Sequence, residues 1–517
     1  MKPRRPTTRS MGWFAAVAAV AAVAAVACSS RRPEIRPGQT PAQRSAQVPV
    51  ATPAPPATGD DSFRAQKPPP LERISPFMAP APSQRRLTNG VPVLIVENHQ
   101  VPIVSIDVMI KTGTNGDPVA KAGLSTLVAS TLTEGTQSRT ALQFAEELEN
   151  LAAELSARSE QSSTRIHLHC LSETLDAALA LLADTLQHPA FRTEDVERMR
   201  GLQLTRLRRK RSTPDALARD EMNRLLYGPK HPWGQPVGGT ETSVKALNRR
   251  DLVSFFETWY RPNNAIISVA GDVTTELVVQ ALSEKLAKWR PKPLRTLRLP
   301  PLPKLASRTI NMLDVPGTTQ SQIWVGGRLF PADHPDALAL QVGNLILGGL
   351  FTSRLNHNLR EEKGYSYGVF SVATLGPTSG TLIAQGGVIS KNTVEALVEY
   401  EKELVRFSTG ELSDEELAQA KAALIGRLPS RLETNDAVAE AMNSLVLTRL
   451  PLDYFQTLAS RTSKLTKEEV ARAAKKYVAP KQWPVVVVGP IRSEQDRIRK
   501  LGMGPVELRP LAIAARP

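Results

Sequence analysis

The chain has 517 residues and a formal net charge of +15, with 41% hydrophobic and 22% charged residues. That balance belongs to a globular protein of two or three domains and excludes a fibrous or wholly disordered chain. The charge is uneven: residues 1–86 hold 13 Lys/Arg against 4 Asp/Glu, so the body is only mildly basic, and no Lys/Arg stripe interleaved with aromatics marks a nucleic-acid partner.

The chain starts with an address. Lys2, Arg4, Arg5 and Arg9 precede the apolar run from Met11 to Ala27, and small residues surround Cys28. A basic segment followed by an apolar one predicts an export signal over 1–27. Ala25-Val26-Ala27-Cys28 resembles a bacterial lipobox. The resemblance implies cleavage before Cys28, a lipid on its sulfur as the membrane contact, and, with Ser29 rather than Asp following, the periplasmic side of the outer membrane. A lipidated Cys28 cannot pair with Cys170, the only other cysteine, so the fold is expected to stand without disulfides. Thirteen prolines lie between Arg31 and Ser83, which makes 28–84 a disordered or polyproline tether.

Elements then follow in order. Asn89-Gly90 predicts a turn into a strand ending near Val96, and Pro102 to Lys111 alternates as a second strand. Ala122 to Thr136 reads as a helix with leucines on one side and Ser125, Thr126, Ala129 and Ser130 on the other. The stripe Phe144, Leu148, Leu151, Leu155 predicts a helix over 141–158. A strand is predicted over 163–171, and helices over 175–187 and 193–207. His231-Pro232-Trp233-Gly234 reads as a structural turn with Trp233 packed inward.

An internal repeat organises the body. Arg249 to Gly271 aligns without a gap on Lys467 to Gly489; Trp259 meets Tyr477 and Pro262 meets Pro480. Each copy is an amphipathic helix, a turn on proline and a buried strand. The repeat predicts two homologous α+β domains, 85–296 and 302–500, facing each other as a clamshell. A proline-rich joint spans 291–305, and 501–517 is a tail.

The order of these elements, the segment Gly239-Thr240-Glu241-Thr242-Ser243, the turn Trp259-Tyr260-Arg261-Pro262 and the stretch Gly348 to Val369 resemble the pitrilysin/insulinase (M16) metallopeptidase family, which includes the mitochondrial processing peptidases. The resemblance implies LuxS/MPP-like domains, each an antiparallel sheet with helices packed on one face. In active members the first helix carries His-x-x-Glu-His, two zinc ligands and a water-activating Glu, and a later helix adds a second Glu. Physically, positions i and i+4 share a helix face, so both imidazoles reach one metal. Here, in the register set by Gly123-Leu124 and Gly135-Thr136, those positions are Thr126, Ala129 and Ser130, and the second Glu is replaced by Arg206, or with a one-residue slip Thr205. Hydroxyls are poor zinc ligands and a guanidinium repels a dication. No metal is therefore expected on this chain.

Two other features carry chemistry. His167-Leu168-His169 puts two imidazoles on one strand face with Cys170 on the other; this reads as a solvated or cleft-lining strand rather than a metal cluster. Arg360 and Tyr367 stand seven apart, the spacing at which active family members carry an Arg and a Tyr that polarise the substrate across the cleft. Gly348-Gly349 reads as a flexible loop near that cleft. The resemblance implies a non-catalytic, zinc-less lipoprotein subunit. It would lend Arg360, Tyr367 and part of a chamber for extended peptides to a homologous partner that carries the zinc. The alternative is a peptide-binding or assembly lipoprotein with no proteolytic role.

Overall fold

The computed structural model describes residues 77–305 and 307–510; the export signal, Cys28 and most of the proline-rich tether lie outside them. The described residues belong to one compact unit built on two six-stranded sheets. The first contains β1 (Ser83–Arg86), β2 (Pro92–Glu97), β3 (Ile103–Ile110), β4 (Glu154–Ser159), β5 (Thr164–Leu171) and β6 (Ala265–Gly271), in the order β1-β2-β6-β3-β5-β4. The second contains β7 (Ile310–Asp314), β8 (Gln320–Leu329), β9 (Ser366–Leu375), β10 (Gly380–Ile389), β11 (Val485–Gly489) and β12 (Val506–Arg509), in the order β12-β7-β11-β8-β10-β9. Five positions match, β2 to β6 corresponding in order to β7 to β11, as two homologous halves require; the remaining edge is filled by β1, antiparallel to β2, in one sheet and by β12, parallel to β7, in the other.

The sheets are mixed rather than purely antiparallel. The last long strand of each repeat inserts at the sheet centre, where β6 runs parallel to β2 and β11 parallel to β7. Each arrives after a long helical excursion, which is the kind of crossover a parallel pair needs. The segment read as a tail also contributes: β12 pairs parallel with β7.

Several helices begin at a side-chain cap. Thr140, Asn248, Ser413 and Thr466 each close a reciprocal capping box at the start of the helices Ala141–Asn150, Arg249–Trp259, Asp414–Gly426 and Lys467–Tyr477. The two repeat helices each run into a proline turn and then a buried strand, Pro262–Asn264 before β6 and Pro480–Gln482 before β11. The helix predicted over 141–158 stops at Asn150. Ala152 turns the chain with φ +48°, and Leu155 is buried as a strand residue of β4. Leu155 fits the helical stripe and the period-two alternation equally well, and pairing with β5 decides it. Gly348 and Gly349 do not form a loop: they finish a helical turn, Leu345–Gly349, against β9. A Cβ on Gly348 would sit 2.3 Å from the Ser371 backbone nitrogen, so close approach explains that glycine.

Each sheet buries one face under its own helices. In the first half Leu127, Leu132, Phe144, Leu182 and Leu252 pack against Val93, Ile106 and Ile166. The second face is not open, as the one-sided picture implied. Helix Asn435–Leu447 of the second half lies on β3 and β6, with Val438, Met442 and Leu445 against Leu94, Met109 and Ile266. Helix Pro214–Tyr227 of the first half lies on β8 and β11, with Ala218, Met222 and Leu226 against Trp324, Val486 and Val488. The halves thus exchange equivalent helices.

Candidate functional site

The helix that corresponds to the zinc helix runs from Leu124 to Leu132. Gly123 precedes it with φ +89°, and a Cβ there would meet the Gly238 carbonyl at 2.6 Å, so only glycine fits this entry. Asp117 caps the helix, accepting from the backbone N–H groups of Gly123 at 3.0 Å and Ser125 at 2.8 Å and from the Ser125 hydroxyl. Burial pushes the Asp117 carboxyl up to about 7, and these hydrogen bonds oppose the shift. The helix packs on Thr193–Lys210, where Gln203 donates to the carbonyls of Gly123 and Gly238 at 3.1 and 2.9 Å.

None of the degenerate positions offers a ligand set for zinc. Thr126 donates its hydroxyl to the Val237 carbonyl at 2.8 Å. Ser130 donates back to Leu127 within its own helix at 3.2 Å. Ala129 is buried and has no donor atom, and Arg206 is an exposed cation. Thr205, the alternative register, bonds to Gly201 at 2.9 Å. The residues do not fit a dication, which needs imidazole, thiolate or carboxylate donors.

Arg360 and Tyr367 flank the turn into the edge strand β9. Arg360 stacks over the Phe351 ring, 4.4 Å from its centroid, and pairs with Glu361 at 3.2 Å. Tyr367 is 85% exposed. Tyr365, by contrast, packs against the core of the second half. Phe351 and Phe370 are also exposed, and Tyr367 and Phe370 lie on β9, the edge strand of the second sheet. Among the described residues no hydrogen bond or ion pair ties this pair to the first half.

The His167 and His169 strand face is not simply solvated. It lies under the first turn of helix Asn435–Leu447, and Asp436 bridges both rings, 3.3 Å from His167 Nε2 and 3.0 Å from His169 Nδ1. His167 Nδ1 donates to Asp107 at 2.8 Å, and Arg165 binds the same carboxylate at 2.7 Å. Burial works against a charged His167, yet the bonds to Asp107 and Asp436 outweigh it and hold the imidazolium up to about 9. The His167 bond, foremost, keeps Asp436 well below the usual carboxylate range. Ser105 and Asp107, read as the polar side of an alternating strand, are fully buried. Their covering partner, helix Asn435–Leu447, is more than three hundred residues away in sequence, so local patterning carries no signal for it.

His231 accepts from the Trp233 backbone N–H at 3.1 Å inside the turn Pro232–Gly234, and Trp233 is buried, as the turn reading requires. Cys170 is buried and unpaired, and burial pushes its thiol up to about 12.

Comparison with known proteins agrees with this geometry. Residues 92–239 match the family model described as insulinase (peptidase family M16), and residues 246–424 match that of the peptidase M16 inactive domain. A Bacillus subtilis relative named as an uncharacterized zinc protease, YmxG, is 25% identical over 349 residues, covering 68% of this chain and 84% of the relative. A Helicobacter pylori relative named as a non-peptidase homolog is 26% identical over 383 residues, covering 74% of this chain and 87% of the relative. The solved peptidase M16 inactive domain from Pseudomonas fluorescens superposes with a TM-score of 0.74 at 22% identity, covering 79% of this chain and 98% of that one. With the two family models together matching residues 92–239 and 246–424, the chain belongs to the M16 peptidase family.

Proposed function

We propose that this chain is a zinc-less M16 subunit that works with a homologous zinc-bearing subunit in peptide hydrolysis. Its contribution is Arg360, Tyr367 and part of the peptide chamber. The carrying observation is the contrast between the two sites. The helix that would hold zinc spends its hydroxyls on backbone carbonyls. Meanwhile Tyr367 is exposed to solvent on the edge strand, and Arg360, seven residues earlier, pairs with Glu361 and stacks on Phe351. A guanidinium and a phenol are donors suited to a developing oxyanion. The unpaired edge of β9 suits an extended peptide, which adds to a sheet through main-chain hydrogen bonds. The zinc-activated water would come from the partner. The lipidated Cys28 would hold the assembly at the periplasmic face of the outer membrane. A name such as non-peptidase homolog on a relative is compatible with this reading.

The test is co-expression with a homologous subunit that carries His-x-x-Glu-His, assayed on a quenched peptide. The chain alone is expected to be inactive and the pair active. Arg360→Ala or Tyr367→Phe should lower turnover by about 10²-fold, as for loss of one oxyanion donor. Unchanged turnover in both variants would remove their assigned role. A pair that binds peptide without cleaving it would favour a peptide-binding lipoprotein.

A further inference from the structure

We propose that His167, His169 and Asp436 form a transition-metal site, of the class that takes Zn²⁺, which ties helix Asn435–Leu447 of the second half to the sheet of the first. The site is distinct from the degenerate zinc helix and does not rest on the peptidase reading. Its ligand atoms lie within 4.8 Å of one another. Asp436 Oδ1 stands 3.3 Å from His167 Nε2 and 3.0 Å from His169 Nδ1. Tetrahedral zinc with bonds near 2.0–2.1 Å separates its ligand atoms by about 3.3 Å, close to both Asp436 separations, and the two ring nitrogens, within 4.8 Å of each other, would draw together around an ion. Three protein ligands leave a fourth position for water.

The surroundings are those a metal site needs. Asp107, fully buried, accepts the His167 Nδ1 proton at 2.8 Å, so the proton on Nε2, which faces Asp436, is the one an ion would displace. A carboxylate behind a ligating histidine fixes its tautomer and raises its basicity. Arg165 in turn holds Asp107 and Glu440. The hydroxyl of Ser105 donates to Asp436 and lies 3.4 Å from His169 Nδ1. Register puts these groups together: β3 and β5 pair Asp107 with His167 and Ser105 with His169. Asp107 and Glu440 thus both pair with Arg165, and Arg158 stands 3.9 Å from Glu440. Binding an ion there releases the His167 Nε2 proton, since only the neutral imidazole ligates. Imidazole with one carboxylate suits zinc over magnesium or calcium, which prefer all-oxygen shells.

The third ligand lies 267 residues from His169, which is why the sequence reads as a bare His-x-His. An ion here would bridge elements from both halves, so it should raise the melting temperature of the whole unit.

The test uses the purified full chain, stripped with chelator and dialysed against micromolar Zn²⁺ or Co²⁺. One equivalent should bind, and Co²⁺ should give the intense visible bands of a tetrahedral site. His169→Ala and Asp436→Asn should each abolish stoichiometric uptake and the metal-dependent rise in melting temperature. Asp107→Asn should weaken uptake about 10- to 100-fold. Thr126→Ala and Ser130→Ala should bind as wild type. Asp436→Asn reads the site from the other half should His169→Ala not fold. No stoichiometric uptake by the wild type would overturn the proposal and leave an ion-paired cluster only. Uptake that survives His169→Ala and Asp436→Asn would overturn it too, by placing the ion elsewhere.

Discussion

Replacing Asn443 by alanine tests whether the exchanged helices make the two halves one cooperative unit. Asn443 sits on helix Asn435–Leu447, buried against the first-half sheet. Its Oδ1 accepts from Ser268 at 2.7 Å and its Nδ2 donates to the Asp107 carbonyl at 3.1 Å. Each bond is worth about 1 kcal/mol net, so Asn443→Ala should cost ~2 kcal/mol, or roughly 30-fold in the opening equilibrium. Hydrogen exchange read by mass spectrometry on peptides covering β5 and β10 is the assay. Because each sheet is roofed by the other half's helix, protection in β5 and in β10 should fall by the same factor. The converse variant, Leu226→Ala on the first-half helix, removes a fully buried side chain from the second sheet. It should cost ~2–5 kcal/mol and again lower protection in both halves. Loss in β5 with β10 untouched, under Asn443→Ala, would refute the coupling. A cost below about 0.5 kcal/mol would refute the assigned hydrogen-bond energies.

Other outcomes follow from single sites. Burial raises the folded-state carboxyl of Asp117 to about 7, so the folded state keeps a proton that the unfolded chain releases near pH 4. The associated stability is present at low pH and is lost as pH rises toward 7, by at most ~4 kcal/mol; denaturation of Asp117→Asn should lack that slope. Cys170, with its thiol pushed up to about 12 by burial, should resist maleimide in the native protein and react only on unfolding. Gly348→Ala forces a Cβ to within 2.3 Å of the Ser371 nitrogen and should destabilise by ~1–3 kcal/mol in urea melts. Tyr367→Phe alters an exposed side chain and should leave the melting temperature within error of wild type.

The parts of this fold that were legible from sequence are those set by short-range physics. The proline turns after the repeat helices and the strands β3 and β5 stand where local patterning places them. The repeat, offset by 218 residues, matches five strands of one sheet to five of the other. What stayed hidden depends on partners distant in the chain. The alternation of β3 says nothing of what covers its polar side, and Ser105 and Asp107 are buried because a helix from the other half brings Asp436 and Asn443 to meet them. Leu155 fits two periods, and only pairing with β5 makes it a strand residue. At the candidate site, the loss of zinc ligands is visible in residue identity alone. The exposure of Tyr367 and the stacking of Arg360 on Phe351 are not.

The helix exchange has a consequence for how the chain can be divided. Cleavage in the proline-rich joint of residues 291–305 would sever the backbone while leaving both pieces clasped, like an intramolecular dimer whose tether has been cut. Expressed separately, either fragment would carry an orphan apolar helix and a bare sheet, and would aggregate until mixed with its complement.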